Sequence, residues 1–82
     1  MNLKGKNVIV TGGSGLLGKE IIKSLCKYGA NVINIDKNSI DDKNIHFFQC
    51  DLTDENQVIS CIDEIINKFS VIHALVNNAY PR

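Results

Sequence analysis

Gly13, Gly15 and Gly18 stand in G-x-G-x-x-G spacing directly after the apolar run Val8-Ile9-Val10, and Asp36 follows about 20 residues on, the spacing of a dinucleotide-binding turn. Each glycine has a task in such a turn. One makes the tight bend at positive φ, one lets the backbone approach a pyrophosphate, and one lets the following helix sit close against the strand. The free N–H groups of that helix's first turn, at the positive end of its dipole, then face the phosphates.

Glycines alone equally suit a flexible turn, so the flanking elements decide. Leu17, Ile21, Leu25 and Tyr28 fall at i, i+4, i+8 and i+11, one face of a helix, and Gly29 stands where a C′ residue is expected. A second β-rich run, Asn31 to Ile35, ends in Asp36. Lys37 to Asn44 is polar without helical period and reads as a loop. Ile45 to Cys50 predicts a third strand, followed by Asp51-Leu52-Thr53. Thr53 suits an N-cap, with Asp54 and Glu55 in the first turn complementing the dipole. Val58, Ile62, Ile65, Ile66 and Phe69 form the apolar face of the helix so begun, and Ser70 breaks it. Val71 to Val76 predicts a fourth strand, running into Asn77-Asn78-Ala79-Tyr80-Pro81-Arg82.

The order β-α-β-loop-β-α-β predicts an α/β fold: a Rossmann-type doubly wound parallel sheet, partial, with four strands and two helices. Val8-Ile9-Val10 and Ala74-Leu75-Val76 suit strands covered on both faces. Asp36, Asp51 and Asn77 then gather at the C-terminal rim, where open α/β sheets bind ligands at the switch point between the first and fourth strands.

With 82 residues the chain makes at most one small domain, burying about 60% of its unfolded surface. A formal net charge of +0 gives no reason to expect nucleic acid or an anionic membrane as partner. No run approaches transmembrane length, and Met1 to Lys6 lacks the apolar stretch of a signal peptide. Cys26, Cys50 and Cys61 are odd in number without C-x-x-C spacing, so a disulfide framework or thiolate metal site is not expected. All three read as packing residues, and a reducing cytoplasm fits. His46 and His73 have no paired acid or second ligand nearby and read as structural or solvated.

These residues resemble the N-terminal part of a short-chain dehydrogenase/reductase. Thr11 to Gly18 is similar to that family's glycine motif, Asp36 to its ribose-binding acid, Asp51-Leu52-Thr53 to its adenine contact, and Asn77-Asn78-Ala79 to its N-N-A-G motif. Two positions depart from the pattern. The common T-G-x-x-x-G-x-G form has a glycine where Leu16 stands, and the spacing through Gly15 resembles the extended branch. The fourth N-N-A-G position is Tyr80. The tail from Val76 to Arg82 is similar to bacterial members associated with flagellin modification and surface-sugar biosynthesis.

The resemblance implies that Gly12, Ser14, Gly15 and Leu17 line the pyrophosphate and nicotinamide-ribose side of a bound cofactor. It implies that Asp36 accepts hydrogen bonds from the adenosine ribose, which favours NAD over NADP because a carboxylate repels a 2′-phosphate. Lys37 beside it reads either as a phosphate-holding cation or as a solvated loop lysine. Asp51 and Leu52 would flank adenine, with Asp51 alternatively organising the helix start. Asn78 and Ala79 would border the cofactor ribose, while Thr11 and Asn77 tie the first and fourth strands together.

Catalysis in that family uses a serine and a tyrosine and lysine in Y-x-x-x-K spacing, beyond the fourth strand. Tyr28 lies in the first helix and Tyr80 has no lysine after it, so neither fills the role. Residues 1–82 are therefore expected to be the N-terminal part of a dinucleotide-binding domain, truncated before its catalytic half and inactive alone. A small-molecule substrate and a homo-oligomer are expected only of the full-length protein.

Three other readings are open. Gly13 to Lys19 spells the G-x-x-x-x-G-K of a P-loop, but the Mg²⁺-binding Ser or Thr is replaced by Glu20. An S-adenosylmethionine-dependent methyltransferase shares the glycine loop, yet commonly carries an acid where Thr11 stands, and Asn77 to Pro81 imitates its N/D-P-P-Y poorly. A stand-alone nucleotide-binding module would expose the edge of the fourth strand, which predicts instability or self-association.

Overall fold

A computed structural model describes residues 1–39 and 42–79 of the chain. Ile40 and Asp41 of the expected loop, and Tyr80, Pro81 and Arg82 of the expected tail motif, lie outside the described residues. The elements run β1 (Asn7–Thr11), α1 (Leu16–Lys27), β2 (Asn31–Asp36), β3 (His46–Gln49), α2 (Glu55–Phe69) and β4 (Ala74–Asn77). The strands form one parallel sheet in the order β3-β2-β1-β4, with Ile9 opposite both Ile33 and Leu75. The chain winds outward from β1 through β2 to β3, then returns by α2 to the other side of β1. That reversal is the expected switch point.

Strand alternation sorts the core into two layers. Ile9, Ile33 and Ile35 face α2 and pack with Cys50, Cys61 and Ile65. Val10 and Val32 face α1 and pack with Ile22 and Ile45. The cysteines are free, Cys50 and Cys61 buried and Cys26 half-buried, all packed in these layers as expected. His46 packs edge-on against Phe69 and bonds Asn31 through Nε2 at 3.1 Å, while His73 Nδ1 accepts from the Asn7 amide at 2.9 Å. Both histidines are structural.

The faces and boundaries differ in places from the expected ones. Helix α1 buries Gly18 and Ile22, one step round from the Leu17-to-Tyr28 stripe; Leu17 is 60% exposed. The close approach of Gly18 to the glycine turn sets this rotation, which a count of apolar spacing does not register. In α2 the small Cys61 is buried and Ile66 exposed, because Cys61 and Ile65 point at the sheet. Asp54, not Thr53, caps α2: its carboxylate accepts from the Asn56 and Gln57 amides at 3.0 and 3.3 Å. Thr53 is turned instead toward Asp51.

Strand β4 begins at Ala74 rather than Val71, because Ser70 at φ 67° and a 2.8 Å bond from the Val71 amide to the Phe69 carbonyl turn the chain tightly out of α2. Leu75 is 60% exposed, so among the described residues β4, unlike β1 and β2, is not covered on its α2 side. No helix among the described residues is long and apolar enough to cross a membrane.

Candidate functional site

The turn between β1 and α1 is laid along the end of β2. Gly12 takes φ +68°, the left-handed bend that favours glycine, and its amide donates to the Ile35 carbonyl at 2.9 Å. The Gly13 amide donates to Asn34 Oδ1 at 2.9 Å and the Ser14 amide to Asp36 Oδ2 at 3.0 Å. Three consecutive amides thus end on three consecutive residues of β2. The Gly15 amide closes the turn on the Gly12 carbonyl at 3.3 Å. Helix α1 then starts with Gly15 as N-cap, and helix geometry leaves the Leu16, Leu17 and Gly18 amides without partners inside the helix.

The glycines divide by what surrounds them. A Cβ on Gly13 would lie 2.4 Å from Asn34 Oδ1 and 2.6 Å from Ile22, and one on Gly18 2.4 Å from the Gly12 carbonyl oxygen. Gly18 does the expected helix–strand packing, but the bend belongs to Gly12, and Gly13 is fixed by crowding from β2 and α1. Gly15 is different. Among the described residues, a Cβ there meets only the Gly12 oxygen, at an ordinary 3.6 Å. No other atom of the described residues crowds the space over Gly15 at the exposed start of α1, which fits a phosphate group.

The Asp36 carboxylate spans two loops. Its Oδ1 accepts from the Asn38 amide at 3.1 Å and its Oδ2 from Ser14. The Ser14 hydroxyl donates to the Asn38 carbonyl, so the residues after β2 are strapped to the glycine turn. On the other flank, Asn78 Nδ2 donates to the Gly12 carbonyl at 2.9 Å, and Ala79 sits against Gly12 at a distance that a Cβ would close to 3.2 Å. Gly12, Ser14, Gly15, Leu17, Asp36, Asn78 and Ala79 are thereby brought around one turn.

Asp51 and Leu52 lie beyond β3 and do not share one cavity. Asp51 lines a polar cleft of about 370 Å³ with Lys37, Asn38 and Gln57. Leu52 lines an apolar cavity of about 210 Å³ with Thr11, Ile35, Cys50 and Leu75. Asp51 also organises the start of α2. Its Oδ1 accepts from the Thr53 hydroxyl at 2.6 Å and the Thr53 amide at 3.0 Å, and these bonds hold its carboxyl below the ordinary carboxylate range. Its amide donates to Gln57 Oε1 at 2.9 Å. A larger concavity, about 550 Å³ between β3 and α2 and lined by Phe47, Phe48, Gln49 and Lys68 among others, lies apart from the glycine turn. It is an open groove beside an edge strand, and the bonded constellation at the turn is the better candidate on chemical grounds.

Asn34 and Asn38 belong to this constellation and were not among the expected site residues. The signal for Asn34 is present in the chain: a lone carboxamide within Val32-Ile33-Asn34-Ile35, an otherwise apolar buried strand.

Comparison with known proteins agrees with this geometry. Residues 6–80 match the family described as short chain dehydrogenase. The whole chain aligns at 39% identity with sorbitol-6-phosphate 2-dehydrogenase of Klebsiella pneumoniae, covering 33% of that protein. Among solved structures, ligand-free aldohexose dehydrogenase of Thermoplasma acidophilum superposes with a TM-score of 0.88 at 35% identity, over 94% of this chain and 30% of that one. A short chain dehydrogenase of Leptospira borgpetersenii with bound NAD+ superposes with a TM-score of 0.83 at 25% identity, over 93% of this chain and 32% of that one. The chain spans about a third of the length of the relatives it matches. With a Rossmann-type sheet, a glycine turn at its switch point and a match along nearly its whole length, the chain belongs to the short chain dehydrogenase family.

Proposed function

We propose that residues 1–82 form the N-terminal part of a dinucleotide-binding domain, ahead of its catalytic half, in an oxidoreductase that moves hydride between a nicotinamide cofactor and a carbonyl or alcohol substrate. The observation that carries this reading is the uncrowded space over Gly15 among the described residues, at the start of α1, beside a turn whose Ser14 amide is held by the Asp36 carboxylate. The cofactor supplies the ring that gives or takes hydride; the residues of this chain bind and orient it. Gly12, Ser14, Gly15 and Leu17 border the pyrophosphate and nicotinamide ribose, Asp36 the adenosine ribose, Asp51 and Leu52 the adenine, and Asn78 and Ala79 the cofactor ribose.

The cofactor is NAD in preference to NADP. What supports this is that both Asp36 oxygens accept from backbone amides, which hold the carboxylate in place, and a fixed carboxylate repels a 2′-phosphate. Lys37 is exposed in the neighbouring cleft. The full-length protein works in the cytoplasm as a homo-oligomer on a small molecule. Similarity to enzymes named for a sugar alcohol phosphate and an aldohexose makes sugars the first substrate panel, in keeping with a tail that resembles surface-sugar and flagellin-modification members. Calorimetric titration of the chain with NAD and NADP tests the binding reading. NAD is expected to bind about tenfold tighter, a preference that Asp36→Ser abolishes. A folded chain that binds neither dinucleotide overturns it.

A further inference from the structure

Asn34 is the buried polar group that the fold itself does not explain. It is fully buried in β2, with Val10 of β1 and Phe47 of β3 as its register partners and Ile22 of α1 against the same turn. Its neighbours Val32, Ile33 and Ile35 show what packing alone asks of this strand. Burying a carboxamide there is costly unless both ends are bonded. Both are, and both bonds go to the glycine turn: Oδ1 accepts from the Gly13 amide at 2.9 Å and Nδ2 donates to Ser14 Oγ at 3.2 Å. Ser14 Oγ in turn donates to the Asn38 carbonyl.

We propose that Asn34 is a positioning residue for pyrophosphate binding, acting through Gly13 and Ser14. This rests on the reading of the turn as a cofactor site. By drawing the Gly13 amide inward, Asn34 sets the path of the backbone over Gly15 and leaves the amides at the start of α1 to face the phosphates. It touches no ligand, being fully buried. It also bonds the Ser14 hydroxyl, which donates to the Asn38 carbonyl. A neutral group is required, because a carboxylate at this depth would place negative charge beneath the phosphates.

Two variants of the full chain test this, with NAD, ADP and adenosine as probes. Asn34→Val keeps an apolar strand but loses both bonds; it is expected to weaken NAD and ADP about tenfold and adenosine less than about twofold. Asn34→Asp reproduces the network only when protonated, its carbonyl accepting from Gly13 and its hydroxyl donating to Ser14. Its ADP affinity is expected to match the parent chain's at low pH and to fall as the buried acid ionises, relative to the parent's own profile. The titratable group sharing this network is Asp36, present in both chains; Val10, Phe47 and Ile22, which pack around it, do not titrate.

Hydrogen exchange gives a readout that needs no ligand. The Gly13 amide is expected to exchange at least about tenfold faster in Asn34→Val, with the Val10 amide unchanged. Equal weakening of adenosine and ADP, or an unchanged Gly13 exchange rate, overturns the proposal. A parent chain with a protected Gly13 amide that binds no probe overturns the cofactor reading and, with it, the role of Asn34 in phosphate binding.

Discussion

Thr11 and Asn77 are joined side chain to side chain at the ends of β1 and β4, the Thr11 hydroxyl donating to Asn77 Oδ1 at 2.8 Å. Thr11 Oγ1 in turn accepts from the Asn78 and Ala79 amides at 3.1 and 3.3 Å. Parallel strands leave amides without ladder partners where they end, and one buried hydroxyl here satisfies two of them. The tie expected between the first and fourth strands is therefore present, and it also shapes the segment that packs against Gly12.

Thr11→Val removes three hydrogen bonds at constant volume. It is expected to cost about 1–3 kcal/mol, the range for leaving buried groups unpaired, while Thr11→Ser stays close to the parent chain. Urea unfolding of the three proteins checks this. Equal midpoints for Val and Thr would mean that the hydroxyl does not hold β4.

Gly18 and Gly15 are both motif glycines but should respond oppositely to alanine. At Gly18 the added methyl meets backbone at 2.4 and 2.6 Å, which only a shift of α1 away from the turn relieves. A loss of about 1–3 kcal/mol in stability is expected. At Gly15 the methyl enters open space, so stability should change by less than about 1 kcal/mol. Dinucleotide affinity should nonetheless drop in Gly15→Ala. Thermal melts paired with NAD titrations separate the two effects; a stable, normally binding Gly15→Ala would remove the main support for a phosphate over that residue.

Much of this arrangement is legible in the sequence. The strand-turn-helix-strand order, the sheet direction and Asp36 at the rim all follow from local patterns that tertiary packing reinforces. What escaped depends on particular three-dimensional contacts that spacing and residue preference do not encode. The rotation of α1 is set by Gly18 meeting Gly12 and Gly13, a requirement for absence of a side chain that hydrophobic spacing does not encode. The cap of α2 moved from Thr53 to Asp54 because Asp51 captures the Thr53 hydroxyl, a competition between two good caps that residue preference alone leaves open. Asn34 and Asn38 became site residues only once β2 was placed beneath the glycine turn.

The Asp51–Thr53 contact has a pH consequence. The Thr53 hydroxyl and then its amide lower the Asp51 pKa from its ordinary 3.8, since both bonds favour the ionised form. A depressed folded-state value contributes stability above the ordinary carboxylate range and loses it as pH falls through the depressed one. Thr53→Ala is expected to return the Asp51 titration toward 3.8 in a carboxyl-detected NMR experiment. An unchanged titration would mean that the hydroxyl does not control this carboxylate.

At the alkaline end the relevant group is Cys61. Burial first, then the neighbouring Cys50 thiol and Glu64, push its pKa from an ordinary 9.0 up to about 11. Cys50 is shifted up as well, chiefly by burial. A raised folded-state pKa gives stability that is whole below the unfolded value and declines as pH rises toward the folded one. Between about 9 and about 11 the Cys61 thiol ionises in the unfolded chain while it stays protonated in the folded one, so the unfolded state gains. Urea midpoints are therefore expected to fall across that window. Cys61→Ala lowers stability at neutral pH by opening the core beside Ile65, yet flattens the alkaline decline because one of the ionising thiols is gone. A decline equally steep in the alanine variant would mean that this thiol does not set the alkaline sensitivity.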